Sequence, residues 1–166
     1  MTWVLDTTVL LYFGRFESLW IIKHALIDPK LVVDEVVAEL LRPPTAVNQL
    51  QAALTDGWLR RHPLSSDAEL ASLEALHQQR PRLGSGEAGG LAACIANGWA
   101  LVSDDQDARR VATTHGVPVT GTIGTLLRAI RREIIEVDPA EALLRRMIEA
   151  GYRSPVAQLA NLLDCR

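Results

Sequence analysis

Seven carboxylates fall at the ends of β-like runs or on the first turns of helices. Asp6 closes "WVLD". Glu35 and Glu39 stand one helical turn apart and share a face. Glu87 sits among the glycines of "GSGEAGG", and Asp104, Asp105 and Asp107 follow the apolar run "WALVS". Carboxylates held close together repel and raise one another's pKa values. A hard divalent cation removes that conflict. Oxygen donors without clustered His or Cys suit Mg2+ or Mn2+ rather than zinc. Such an ion keeps several waters, one of which can attack a phosphodiester in line while the ion neutralises charge. Each acid also has an ordinary explanation. Asp6 can cap a helix, Glu35 and Glu87 can complement a helix dipole, and Asp104, Asp105 or Asp107 can cap the helix that follows. Convergence on one sheet edge would separate the two readings.

The glycines around Glu87 admit a rival. Gly84, Gly86 and Gly89 have G-x-G-x-x-G spacing, and Asp104 lies twenty positions after Gly84. A dinucleotide loop must follow a strand that aims the helix start at the pyrophosphate. Here the preceding segment is helical and then "RPRL", and Glu87 would repel the phosphates. The better reading is a tight lead into a helix that carries Glu87 in its first turn. Gly89, Gly90, Ala92, Ala93 and Ala96 keep that helix slim enough to lie close on a sheet, which offsets glycine's cost of about 1 kcal/mol in a helix. Phosphoryl-accepting domains and Asp-nucleophile phosphatases are disfavoured. Neither Lys23 nor Lys30 follows a later strand, and "DTTVL" lacks the second Asp of D-x-D.

These acids need elements to position them. "WVLD" and "LVV" read as strands, "WLRRHPL" as an edge strand, and "WALVSDD" and "VPVTG" as further strands. Helices are predicted over "TTVLLYFGRF", "SLWIIKHAL", "EVVAELL" (capped by Asp34, ended by Pro43-Pro44) and Val47–Thr55. "SDAELASLEALHQQ" has Ser66 and Glu69 in capping-box spacing and an apolar stripe at Leu70, Leu73 and Leu76. Further helices run from near Gly86 to Asn97, then over "QDARRVATTHG", "TIGTLLRAIRREI", "PAEALLRRMIEAG" and "SPVAQLANLLD". Strands separated by helices predict an α/β fold, a three-layer α/β/α sandwich around a mainly parallel sheet. Ligands in such sheets gather beyond the carboxyl ends of the strands.

Composition is that of an ordinary globular chain: 166 residues, 48% hydrophobic and 22% charged. The net charge of −3 gives no global attraction to nucleic acid, yet arginines pair at Arg60-Arg61, Arg109-Arg110, Arg131-Arg132 and Arg145-Arg146. Such pairs are solvated helix faces or phosphate contacts. Cys94 reads as a buried small hydrophobe, and neither it nor Cys165 belongs to a zinc pattern. The start lacks a signal peptide's basic segment, and no apolar run is long enough to span a membrane. A cytoplasmic setting is expected, with no membrane partner.

In their order, "VLDTTVLL", "VVAEL", "GSGEAGGLAAC", "LVSDDQDARRVA" and "VPVTGTIGTLL" resemble the PIN-domain family, specifically the branch with Gly-Glu at the third acidic position. The likeness runs from about Trp3 to Ile135. It implies a PIN-like nuclease domain over residues 1–138 and a C-terminal helical extension over 139–166 packed on the same domain. It implies a Mg2+- or Mn2+-dependent ribonuclease, as in VapC-type toxins of type II toxin–antitoxin pairs. RNA would be the substrate, with an antitoxin and a second copy of the chain as partners. The family's acids fall on Asp6, Glu39, Glu87 and Asp105, or Asp104 in place of Asp105, with a further polar position at Asp107. Asp6, Glu87 and Asp105 would hold metal, Asp104 being the alternative, and Glu39 would orient a water. Thr8 and Thr122 are candidates for donating to a carboxylate or phosphate, or for capping turns. Arg109 would meet a phosphate or a nearby acid. The competing reading is a non-catalytic PIN-like module that binds RNA or protein.

Overall fold

The computed structural model describes residues 1–40 and 44–163. Five short strands form one sheet: β1 (Trp3–Leu5), β2 (Lys30–Val33), β3 (Leu59–His62), β4 (Ala100–Val102) and β5 (Val119–Thr120). Their order is β3-β2-β1-β4-β5, and every pairing is parallel. β1 and β4 are buried throughout, as apolar strands covered on both faces must be. Leu5 pairs with Val102, so the residues just beyond, Asp6 and Ser103, emerge side by side.

Among the described residues, ten helices accompany these strands: α1 (Thr7–Arg15), α2 (Leu19–Ala25), α3 (Asp34–Glu39), α4 (Pro44–Thr55), α5 (Asp67–Gln79), α6 (Ser85–Asn97), α7 (Gln106–Thr114), α8 (Thr122–Arg131), α9 (Val137–Glu149) and α10 (Ala160–Leu163). One packed group is α5, α6 and α7, with α6 against β1, β2 and β4; α1, α2, α4 and α8 form the other. With the sheet between them, these groups make the expected three-layer α/β/α sandwich. α9 adds Ala140, Leu143, Leu144 and Met147 to the core.

Local signals explain the boundaries. Ser66 and Glu69 form the predicted capping box at α5. Gly98, at φ 69°, ends α6 in the left-handed conformation that favours glycine. Three expectations differ. Asp34 is the first residue of α3 rather than its cap, and its carboxylate accepts from Arg61 Nε at 2.9 Å. Leu70 is 48% exposed; the buried face of α5 runs through Glu69, Leu73 and Leu76 instead. Residues 154–158 are not helical. Pro155 disfavours a helical Ser154, and Ser154 Oγ bonds the Val156 carbonyl and amide instead. α10 starts later, where Glu141 Oε1 accepts from the amides of Leu159 and Ala160. Pro43, expected to end a helix, and Cys165 lie outside the described residues. Cys94 is buried as predicted, which pushes its thiol pKa up.

A candidate acidic site at the carboxyl edge of the sheet

Asp6 follows β1 and caps α1, with only 3% of its surface exposed. Its Oδ1 accepts from Thr7 N at 2.7 Å, and its Oδ2 from Ser103 Oγ at 2.7 Å. Burial pushes its pKa up to about 6. The Ser103 and Thr7 hydrogen bonds oppose that rise, and the charges of Glu87 and Glu39 add to it. Ser103 is fully buried at the end of β4 and also accepts from Asp105 N at 3.2 Å. One hydroxyl thus ties Asp6 to the turn that carries Asp104 and Asp105. The sequence reading did not single out Ser103. Its signal was a small polar residue between an apolar strand and two aspartates.

Glu39 is brought in by α3. Its carboxylate accepts from Thr7 Oγ1 at 2.5 Å and from Gly86 N at 2.9 Å. The hydroxyl donor to Glu39 is therefore Thr7, whereas Thr8 lines an open cleft of about 270 Å³ with Tyr12, Asp104, Asp105 and Tyr152. The glycines of α6 serve this approach. A Cβ on Gly86 would stand 2.8 Å from Glu39 Oε2 and 2.9 Å from Val36 Cγ2. One on Gly89 would stand 3.2 Å from Glu35 Oε2, a buried oxygen with no donor among the described residues. Gly90 would meet the sheet only at ordinary contact distance. The slim face of α6 is thus cut chiefly for the two glutamates of α3, and secondarily for the sheet.

Glu87 lies in the first turn of α6 and folds back to accept from Gly84 N at 2.6 Å. Burial raises its pKa; the Gly84 bond opposes this, and the charges of Asp105, Glu39 and Asp107 add to it. Asp105 caps α7, accepting from Ala108 N at 2.7 Å. Asp104 turns to a different element. Thr122 N and Thr122 Oγ1 donate to its two oxygens at 2.9 and 2.6 Å, and Tyr152 OH donates at 3.1 Å. Thr122 therefore serves Asp104 with its hydroxyl and its amide; it does not cap α8, whose N-cap is Gly121 without a side-chain cap bond. Asp107 pairs with Arg110 at 3.6 Å. Arg109 makes no ion pair with an acid among the described residues: its Nη1 donates to the Ser103 carbonyl at 2.9 Å and braces the turn.

The fold therefore draws Glu39 and Glu87 within electrostatic reach of Asp6, and Glu39, Asp105 and Asp107 within reach of Glu87, and it directs Asp104 to the start of α8. Among the described residues, no three His, Cys, Asp or Glu side chains converge closely enough to hold an ion in this arrangement. The donor set nonetheless fits a hard cation. It is all oxygen, and its innermost member is buried beneath two like charges.

A family model described as PIN domain matches residues 2–165. No curated protein matches the chain. Among solved structures, the chain is similar to one in the crystal structure of VapBC2 from Rickettsia felis bound to a DNA fragment from their promoter. The TM-score is 0.50 at 14% identity, over 73% of this chain and 98% of that one. That likeness concerns the fold. The match over nearly the whole sequence carries the family, and the chain belongs to the PIN-domain family.

Proposed function

We propose that the chain is a metal-dependent endoribonuclease that hydrolyses RNA phosphodiester bonds, with Mg2+ or Mn2+ as its cofactor. The observation that carries this reading is the position of Asp6: a carboxylate buried at the centre of the sheet edge, within reach of the charges of Glu39 and Glu87, with no cationic side chain bonded to it among the described residues. Asp6, Glu87 and Asp105 would hold the ion. Bound there, a divalent cation would offset the phosphodiester's charge and lower the pKa of water. Ser103 fixes the rotamer of Asp6. Glu39, fixed by Thr7 Oγ1 and Gly86 N, orients the attacking water and stands ready to receive its proton. Water adds to phosphorus, the bond to the leaving ribose oxygen breaks, and that oxygen takes up a proton. Asp104 shapes the turn and is not a ligand in this reading.

Membership of the PIN family and the fold shared with a VapBC complex support a cytoplasmic role as the toxin of a type II pair, acting as a homodimer and neutralised by an antitoxin. No described helix is long and apolar enough to cross a membrane. The second reading, a non-catalytic module that binds RNA or protein, is favoured by one observation: Glu39, Glu87 and Asp105 each already accept from a backbone amide.

The test is RNA cleavage by the purified chain with EDTA, and then with Mn2+ or Mg2+ restored. Cleavage should disappear with chelator, return with the ion, and be lost in Asp6→Asn and Glu87→Gln. Metal-stimulated cleavage that survives both substitutions refutes the site. RNA affinity indifferent to chelator, with no cleavage, supports the binding module.

A further inference from the structure

Beside the acidic edge lies a cleft of opposite charge. The connection from α5 to α6 and the first turns of α7 enclose about 320 Å³, lined by Arg80, Pro81, Arg82, Leu83, Asp107 and Arg110 among others. Three guanidinium groups against one carboxylate leave it at +2, in a chain whose net charge is −3. Arg80 and Arg82 are exposed, and their guanidinium groups have no hydrogen bond or ion pair among the described residues. Arg110 has only the loose contact to Asp107, with 77% and 67% of the two side chains exposed. Leu83 and Val111 supply an apolar floor.

The cleft adjoins the acidic edge through its loop and through Asp107. Its loop runs directly into Gly84, whose amide holds Glu87, and Asp107 lines the cleft while its charge reaches Glu87. An edge built from carboxylates repels the polyanion it would cut, so affinity must come from cations close by. Guanidinium forks match phosphate oxygens in geometry as well as charge. An apolar floor between them suits an unstacked base.

We propose that this cleft is a binding site for the backbone of single-stranded RNA, with Arg80, Arg82 and Arg110 gripping phosphates next to the bond presented at the acidic edge. The placement of the cut bond rests on the ribonuclease reading; the grip does not.

The test is fluorescence anisotropy with a short labelled oligoribonucleotide in EDTA, so that nothing is cleaved, across a range of salt concentrations. The proteins are wild type, the double variant Arg80→Gln/Arg82→Gln, and a control, Arg131→Gln/Arg132→Gln. Each phosphate contact to a single strand contributes about 0.7 to the salt slope, so the double variant should lose about 1.4 in slope and about tenfold in affinity. The control should stay within about twofold of wild type. No RNA binding by wild type, or equal loss in the control, overturns the proposal. So does a double variant that keeps RNA affinity but loses affinity for a polyglutamate peptide, which would make the cleft a dock for an acidic protein. Mn2+-dependent cleavage by wild type separates the two readings. If RNA is gripped by these arginines but never cut, the cleft stands and the nuclease falls. If RNA is cut with unchanged KM in the double variant, the cleft alone falls.

Discussion

Asp6 and Glu69 are both buried carboxylates, 3% and 2% exposed, and the protein treats them in opposite ways. Glu69 sits under α6 with a full set of donors. His62 Nε2 lies 2.6 Å away and Asn97 Nδ2 donates at 2.8 Å, while the amides of Ser65 and Ser66 donate at 3.1 Å each. Burial alone would raise its pKa, but those bonds more than cancel the rise and hold it at about 2. Asp6 has two donors and two like-charged neighbours, and stands at about 6. Burial therefore does not mark a site. The mark is a buried acid left short of donors beside like charges, and among the described residues Asp6 at the sheet edge is that acid. Glu69 anchors α5 to β3 and α6, whereas Asp6 leaves an electrostatic debt that a cation from solution would settle.

The sharpest break between the two regions should be in activity. Asp6→Asn should lower metal-dependent RNA cleavage by about a thousandfold, in the range lost when a group acting only in the transition state is removed. Glu69→Gln, assayed below its unfolding temperature, should stay within severalfold of wild type. Equal losses would erase the distinction.

Stability should divide the pair the other way. Glu69 has a depressed pKa in the fold, so its contribution is complete above about pH 4.5 and drains away as pH falls toward 2. Glu69→Gln should cost about 2 kcal/mol at pH 7 by urea unfolding, and the gap from wild type should narrow in acid. Asp6 carries the opposite sign. The folded chain holds its proton more tightly than the unfolded chain, so wild type loses stability as pH rises from about 3.8 to about 6. In EDTA, Asp6→Asn should gain about 1–2 kcal/mol at pH 7, after allowance for a weaker pairing with Ser103, and nothing near pH 4. A variant less stable than wild type at pH 7 would contradict this. The smallest effect belongs to the clamp beside the site. Tyr152→Phe removes one bond to Asp104 and should cost about 1 kcal/mol in thermal unfolding, with kcat unchanged.

Much of this was legible in the residues. The strands, the capping box of Ser66 and Glu69, and the stop at Gly98 are short-range signals. The shared face of Glu35 and Glu39 needed only the helix repeat. What could not be read depends on residues far apart in sequence. Asp104 and Asp105 are adjacent and chemically identical. Which one turns to the edge is decided by Thr122 and Tyr152, 18 and 48 positions away. Ser103 matters because the register of β1 and β4 sets it beside Asp6, 97 positions earlier. Leu70 misled because Glu69, a charged residue, holds the inward position one step before it. Gly86 looked like part of a loop fingerprint, but its meaning is the path of Glu39.

On the proposed function, the sheet edge binds a divalent cation and the Glu69 cluster does not. Calorimetric titration of Mn2+ into the metal-free chain near pH 7 tests it most directly. Wild type should bind Mn2+ saturably, with binding retained in Glu69→Gln and lost in Asp6→Asn. Binding that persists in Asp6→Asn, or a wild type that takes up no Mn2+ at millimolar concentrations, would contradict it.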